Sequence, residues 1–113
     1  MEFDKSLISG SNAMLVLSLL KDGDKYGYEM VQELKRRSDN VFALKEGTLY
    51  PLLHALENAG EVASYYQTAP TGRERRYYNL TKKGEERLRE KVREWRLFSQ
   101  GVNTVLNAVP GLA

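Results

Sequence analysis

Arg73, Arg75 and Arg76 crowd into one short polar stretch. A guanidinium presents a planar fork of donors that fits phosphate oxygens. Such a cluster is either a solvated turn or a contact to an anionic backbone. Upstream, Tyr50 carries a hydroxyl that could donate to a phosphate or simply be partly buried, and His54 follows one helical turn later. His54 is the sole histidine of the chain and there is no cysteine. That excludes disulfides, thiolate sites and cysteine nucleophiles, and it leaves acid–base or metal chemistry without a second partner. Trp95, the single tryptophan, is either an anchor on a helix seam or, doubled by a two-fold axis, a slot for a flat aromatic molecule. Met14 and Ile8 could wall that slot, and Ser99 would leave room in it. The chemistry on offer is binding, not catalysis.

These side chains need elements to aim them. Leu49, Leu52, Leu53 and Leu56 recur at helical spacing, while Thr48, Tyr50, His54, Ala55 and Asn58 fall on other faces. The pattern predicts a helix that packs on one side and can read something with the other, ended by Gly60. Pro51 is tolerated only in a first turn, so the helix either starts near Thr48 or bends at Pro51; Lys45 is a weaker start signal. Two strands, Glu61 to Gln67 and Arg75 to Leu80, flank the hairpin loop Thr68-Ala69-Pro70-Thr71-Gly72. Alternation places Arg76, Tyr78 and Leu80 on one face and Arg73, Arg75, Tyr77 and Asn79 on the more exposed one. Tyr65, Tyr66, Tyr77 and Tyr78 are expected to pack.

The remaining chain supplies the support. Residues 1–10 read as an arm without a period, followed by an apolar helix from about Ser11 to Lys21. Gly23 is a candidate C-cap and Asp24 a candidate N-cap for a short amphipathic helix from Tyr26 to about Ser38, with Gly27, Met30, Val31 and Leu34 inward. Val41 to Leu44 is a tiny strand or a packed linker. Thr81 caps a long helix in which Leu88, Val92, Trp95, Ser99, Val102, Leu106 and Val109 alternate by four and three residues, the seam of a two-helix contact. That seam is expected to pair with another copy. Pro110-Gly111 ends the helix.

At 113 residues and 42% hydrophobic content the chain is sized for a single core. A net charge of +2 neither requires nor excludes nucleic acid. The N-terminal apolar run is too short and interrupted to span a bilayer, and no small-residue cleavage pattern follows it. The expectation is a soluble cytoplasmic protein.

Taken together, YGYEMVQEL, EGTLYPLLHALENAG and GRERRYYNLTKKGEERL resemble the signature of PadR-family transcriptional regulators over roughly residues 13–98. The resemblance implies a mainly α fold with a small β-hairpin: a winged helix-turn-helix DNA-binding domain over 1–80 and a C-terminal dimerisation helix over 81–113. It implies a bacterial homodimer on a palindromic double-stranded DNA operator, usually as a repressor. The short form with one C-terminal helix is similar to members that sense drugs or phenolic compounds at the dimer centre. The expected DNA contacts are Lys45, Thr48, Tyr50, Pro51, His54, Arg73, Arg75, Arg76 and Tyr77. The expected small-aromatic effector site is Ile8, Met14, Trp95 and Ser99, and the dimer contact is Leu88, Val92, Trp95, Val102 and Leu106. No cofactor, metal or membrane partner is expected. Ser99 stands where such members carry an acidic residue, and Glu74 interrupts the basic run of the wing. The rival reading is a winged-helix module that binds protein instead of DNA.

Overall fold

The computed structural model describes residues 3–112. In chain order the elements are α1 (Lys5–Leu19), β1 (Lys25–Tyr26), α2 (Gly27–Arg37), α3 (Glu46–Asn58), β2 (Val62–Thr68), β3 (Glu74–Leu80) and α4 (Lys82–Asn107). The strands form one antiparallel sheet in the order β1-β3-β2. The fold is thus the expected mainly α winged helix, with one strand more than the expected hairpin.

Helix α1 starts earlier than the apolar run suggests. Asp4 caps it by accepting from the Ser6 N–H at 3.0 Å, and Phe3 lies 5.5 Å from the Phe42 ring. The expected arm is therefore helix over most of its length, fixed by a carboxylate cap that hydrophobic periodicity does not register. Val16, Leu17, Leu19 and Leu20 are buried in a core shared with Met30 and Leu34 of α2, Leu49, Leu53 and Leu56 of α3, and Leu88 of α4. Covering α1 on three sides is what its nearly continuous apolar surface requires.

Helix α2 is capped by Tyr26, with Glu29 returning a hydrogen bond to the Tyr26 N–H at 3.1 Å. Asp24, the expected cap, is used elsewhere: its carboxylate accepts from the Tyr65 hydroxyl at 2.7 Å and from Asn79 Nδ2 at 2.9 Å. Asp39 and Asn40 close α2 at φ 51° and 66°, and the Asn40 N–H reaches back to the Lys35 carbonyl at 2.8 Å. These are residues that tolerate the left-handed region.

Helix α3 begins at Glu46, with Lys45 as N-cap and the Leu49 N–H bonded to the Lys45 carbonyl at 2.9 Å. The start near Thr48 is corrected, and Pro51 lies inside the helix. Gly60, at φ 76°, ends α3 as expected; the Glu61 N–H bonds to the Leu56 carbonyl at 2.9 Å and the Gly60 N–H to Glu57 at 3.0 Å. Thr81 caps α4 by accepting from the Gly84 N–H at 3.0 Å.

A chain of this length would have a radius of gyration of about 13 Å if compact, whereas this one has 16.3 Å and extends over 60 × 29 × 22 Å. The excess is α4, whose second half runs clear of the core. Its seam is accordingly divided. Leu88 is buried and Val92 packs on the same cluster, because α1 lies along the first half of the helix. The expectation that the whole seam awaits a partner is corrected to the part beyond Val92.

Candidate nucleic-acid interface

The open face of α3 carries Gly47, Thr48, Tyr50, Pro51, His54, Ala55 and Asn58, all exposed, with Lys45 exposed at its N-cap. Leu49, Leu53 and Leu56 hold the other side in the core. The helix is thus anchored along its length while its outer stripe faces solvent. Tyr50 has a second relationship that its spacing does not show. A Cβ on Gly27 would stand 2.9 Å from Tyr50 Cζ and closer still to the hydroxyl. The phenol therefore lies over the first residue of α2, and Gly27 is the gap that admits it.

The wing is β2, β3 and the loop between them. Its tip is closed by the Ala69 N–H to the Arg73 carbonyl at 2.7 Å and by Gly72 at φ 86°. Arg73 is exposed at this tip. Among the described residues neither Arg73 nor Arg75 makes a side-chain hydrogen bond or ion pair. Arg75 instead rests its guanidinium 4.5 Å above the Tyr26 ring. Tyr77 sits between Tyr26, edge-on at 5.5 Å, and Tyr65, stacked at 5.7 Å. The Arg75 and Tyr77 face is consequently half-buried, because β1 pairs Tyr26 with Tyr77 beside it. With Arg73 and Asn79 exposed at its two ends, it is still the more exposed of the two faces, as alternation predicts.

On the opposite face Tyr78 is buried and Leu80 packs on the core, as alternation predicts. Burial pushes the Tyr78 phenol above its usual pKa. Tyr65 is raised too, chiefly by its hydrogen bond to Asp24. Tyr66, expected to pack, is 65% exposed. Arg76 stays outside but is engaged: Nη2 donates to Glu57 Oε1 at 2.8 Å and Nε to Ser64 Oγ at 3.0 Å. His54 stands alone. No group of His, Cys, Asp or Glu able to hold a metal occurs among the described residues.

Away from this surface, α4 leaves Trp95, Phe98, Val102, Val105 and Leu106 exposed in the single chain, with Val109 exposed just beyond its end. Trp95 and Phe98 tilt against each other at 6.5 Å. Ser99 is half-buried on the same helix, while Ile8 and Met14 lie on α1, which packs along the base of α4. Phe98 and Val105 went unremarked in the sequence, although their spacing from Trp95 and Val102 continues the same apolar stripe. Tyr26, Gly27 and Glu57 were missed as neighbours of the reading surface, since only tertiary packing brings them there.

A profile of the transcriptional regulator PadR-like family matches residues 16–90, two thirds of the chain, from the second half of α1 through the wing into α4. The chain belongs to the PadR-like family of transcriptional regulators. Solved structures agree in shape. A transcriptional regulator from Clostridium thermocellum is 35% identical with a TM-score of 0.81, covering 88% of this chain and 97% of that one. A PadR family transcription regulator from Clostridium difficile R20291 is 37% identical with a TM-score of 0.74, covering 85% and 98%. A transcriptional regulator of Mycobacterium tuberculosis is 37% identical over 75 residues, 66% of each chain. PadR-like regulators bind DNA. No helix among the described residues of this PadR-like chain is long and apolar enough to cross a membrane.

Proposed function

We propose that the chain acts as a homodimeric repressor on a palindromic operator, with residues 1–80 reading DNA and residues 81–113 joining the two copies. The observation that carries this reading is the open stripe of α3 beside a wing whose Arg73 and Arg75 are unpaired among the described residues. Lys45, Thr48, Tyr50, Pro51 and His54 present that stripe to the major groove. Arg73 and Arg75 meet the phosphate backbone, and Tyr77 braces them from the sheet. The bare Trp95, Val102 and Leu106 of α4 supply the contact between copies, continuing the line begun by Leu88 and Val92. Pairing sets two reading heads for half-sites about 34 Å apart. A planar aromatic effector enters between the paired α4 helices against Trp95, within reach of Ser99, Ile8 and Met14, and releases the operator.

The experiment is a titration of genomic duplex with the purified chain across a salt series. Phosphate contacts make affinity fall with salt by about 0.9 power per contact. Arg73→Ala and Arg75→Ala should each flatten that slope by nearly one. Binding to no duplex, or a slope indifferent to both changes, would remove the DNA reading and favour a protein partner on the same surfaces. A flat aromatic that quenches Trp95 yet leaves duplex affinity unchanged would remove the effector step.

A further inference from the structure

Arg76 belongs to the same basic run as Arg73 and Arg75, yet its surroundings are of another kind. Its Nη2–H donates to Glu57 Oε1 at 2.8 Å, its Nε–H donates to Ser64 Oγ at 3.0 Å, and the Ser64 hydroxyl donates to Glu57 Oε2 at 2.5 Å. The bonds close a ring through three side chains, each from a different element: Glu57 from the last turn of α3, Ser64 from β2 and Arg76 from β3. The guanidinium also lies 5.8 Å from the Tyr66 ring and 5.5 Å from the Tyr78 ring. Both acceptor oxygens of Glu57 and two donor edges of Arg76 are thereby committed. A phosphate could claim this guanidinium only by breaking a charge-assisted pair.

We propose that Arg76 is a positioning residue that fixes the angle between the recognition helix and the wing, and that it makes no contact with DNA. This rests on the proposed DNA-binding function. It changes what the arginine cluster does: Arg73 and Arg75 contact the backbone, and Arg76 sets how far the wing tip stands from α3. Glu57 becomes a determinant of DNA affinity although it is acidic, and that sign separates the two roles. A phosphate-contacting Arg76 would be held back by Glu57, so neutralising the carboxylate would tighten binding. A strut would lose its anchor, and binding would weaken.

The test is duplex affinity across a salt series for the full chain and for Arg76→Ala, Glu57→Gln and the two combined, well below each variant's melting temperature. The expected result is a loss of about tenfold for each single change, about the same loss for the pair, and a salt slope that does not move, since residues acting as a unit are not additive. A slope lowered by nearly one in Arg76→Ala, or tighter binding by Glu57→Gln, overturns the proposal. Amide exchange of Ser64 to Thr68 in the free protein keeps the two readings apart. Equal, non-additive acceleration in the two variants supports the strut even if the wild type binds no duplex, an outcome that would remove the DNA reading alone. Exchange indifferent to Glu57→Gln removes the strut even if duplex binding is intact.

Discussion

Two glycines of α4 should respond in opposite directions to the same methyl group. Gly84 is buried in the first turn, and a Cβ there would fall on the Glu61 carbonyl oxygen well inside contact distance and 2.7 Å from Leu80 Cδ1. The carbonyl has little freedom to retreat. It accepts from the Thr81 N–H at 3.2 Å, and the Glu61 carboxylate, 4% exposed, is gripped by Arg87 Nη1 at 3.0 Å. Forcing a methyl into such a site costs about 1–3 kcal/mol, against which alanine's better helix propensity returns at most about 1 kcal/mol. At about 2.1 cal/mol/K per residue the unfolding entropy converts a net loss of 1–2 kcal/mol into a fall in Tm of about 4–8 °C. Gly101, in the same helix, would place its Cβ in open space, with nothing within 4 Å, and lies outside the Trp95 to Val109 stripe. Gly101→Ala should therefore stabilise by roughly 0.5–1 kcal/mol, a rise of about 2–4 °C. Thermal melts by circular dichroism, at one protein concentration because any association between copies would shift Tm, decide both. Gly84→Ala melting at or above wild type would refute the described seat of α4 on the α3–β2 corner. Gly101→Ala melting lower would mean that its flank of α4 is covered by a second chain.

Gly27→Ala should destabilise by about 1–2 kcal/mol by displacing the Tyr50 ring, and Tyr50→Leu in the same chain should recover part of it, a coupling above about 0.5 kcal/mol in a denaturant cycle. Leu106→Asp places a charge in the bare stripe of α4, and sedimentation should show association weakened by about tenfold or more, since half-burying one leucine in each of two copies already contributes roughly 1 kcal/mol apiece. Glu33 is held down to about 2 by hydrogen bonds from Arg36 and Arg37. A depressed carboxylate contributes stability above its unfolded pKa and loses it as pH falls, so melts between pH 4.5 and pH 2 should decline more steeply in the wild type than in Glu33→Gln.

The parts legible in the sequence are those written in local patterns. The leucines of α3, the Gly60 stop, the Thr81 cap and the inward Tyr78 each follow from spacing or from one residue's backbone preference. What escaped depends on partners far along the chain. Strand β1 is two residues long, too short for an alternation, and exists because Lys25 and Tyr26 meet Tyr78 and Tyr77. Its presence half-covers Arg75 and Tyr77, although their face stays the more exposed of the two. The α3 start was missed because Lys45 caps without a side-chain bond, leaving no signature residue. In the candidate site the arginine run was visible, but its division was not: Arg76 meets Glu57, nineteen residues earlier, only after the wing folds back on α3.

The tight junction at Gly84 has a mechanical corollary. With its base fastened to the corner between α3 and β2, α4 and the winged domain must turn as one lever. From Leu88 to Asn107 that lever runs about 29 Å, so in the proposed dimer a tilt of about 10° between two such tails would sweep each winged domain through about 5 Å. A joint with play at its root would dissipate such a tilt before it reached α3; the contact of Gly84 with the Glu61 carbonyl leaves little room for play.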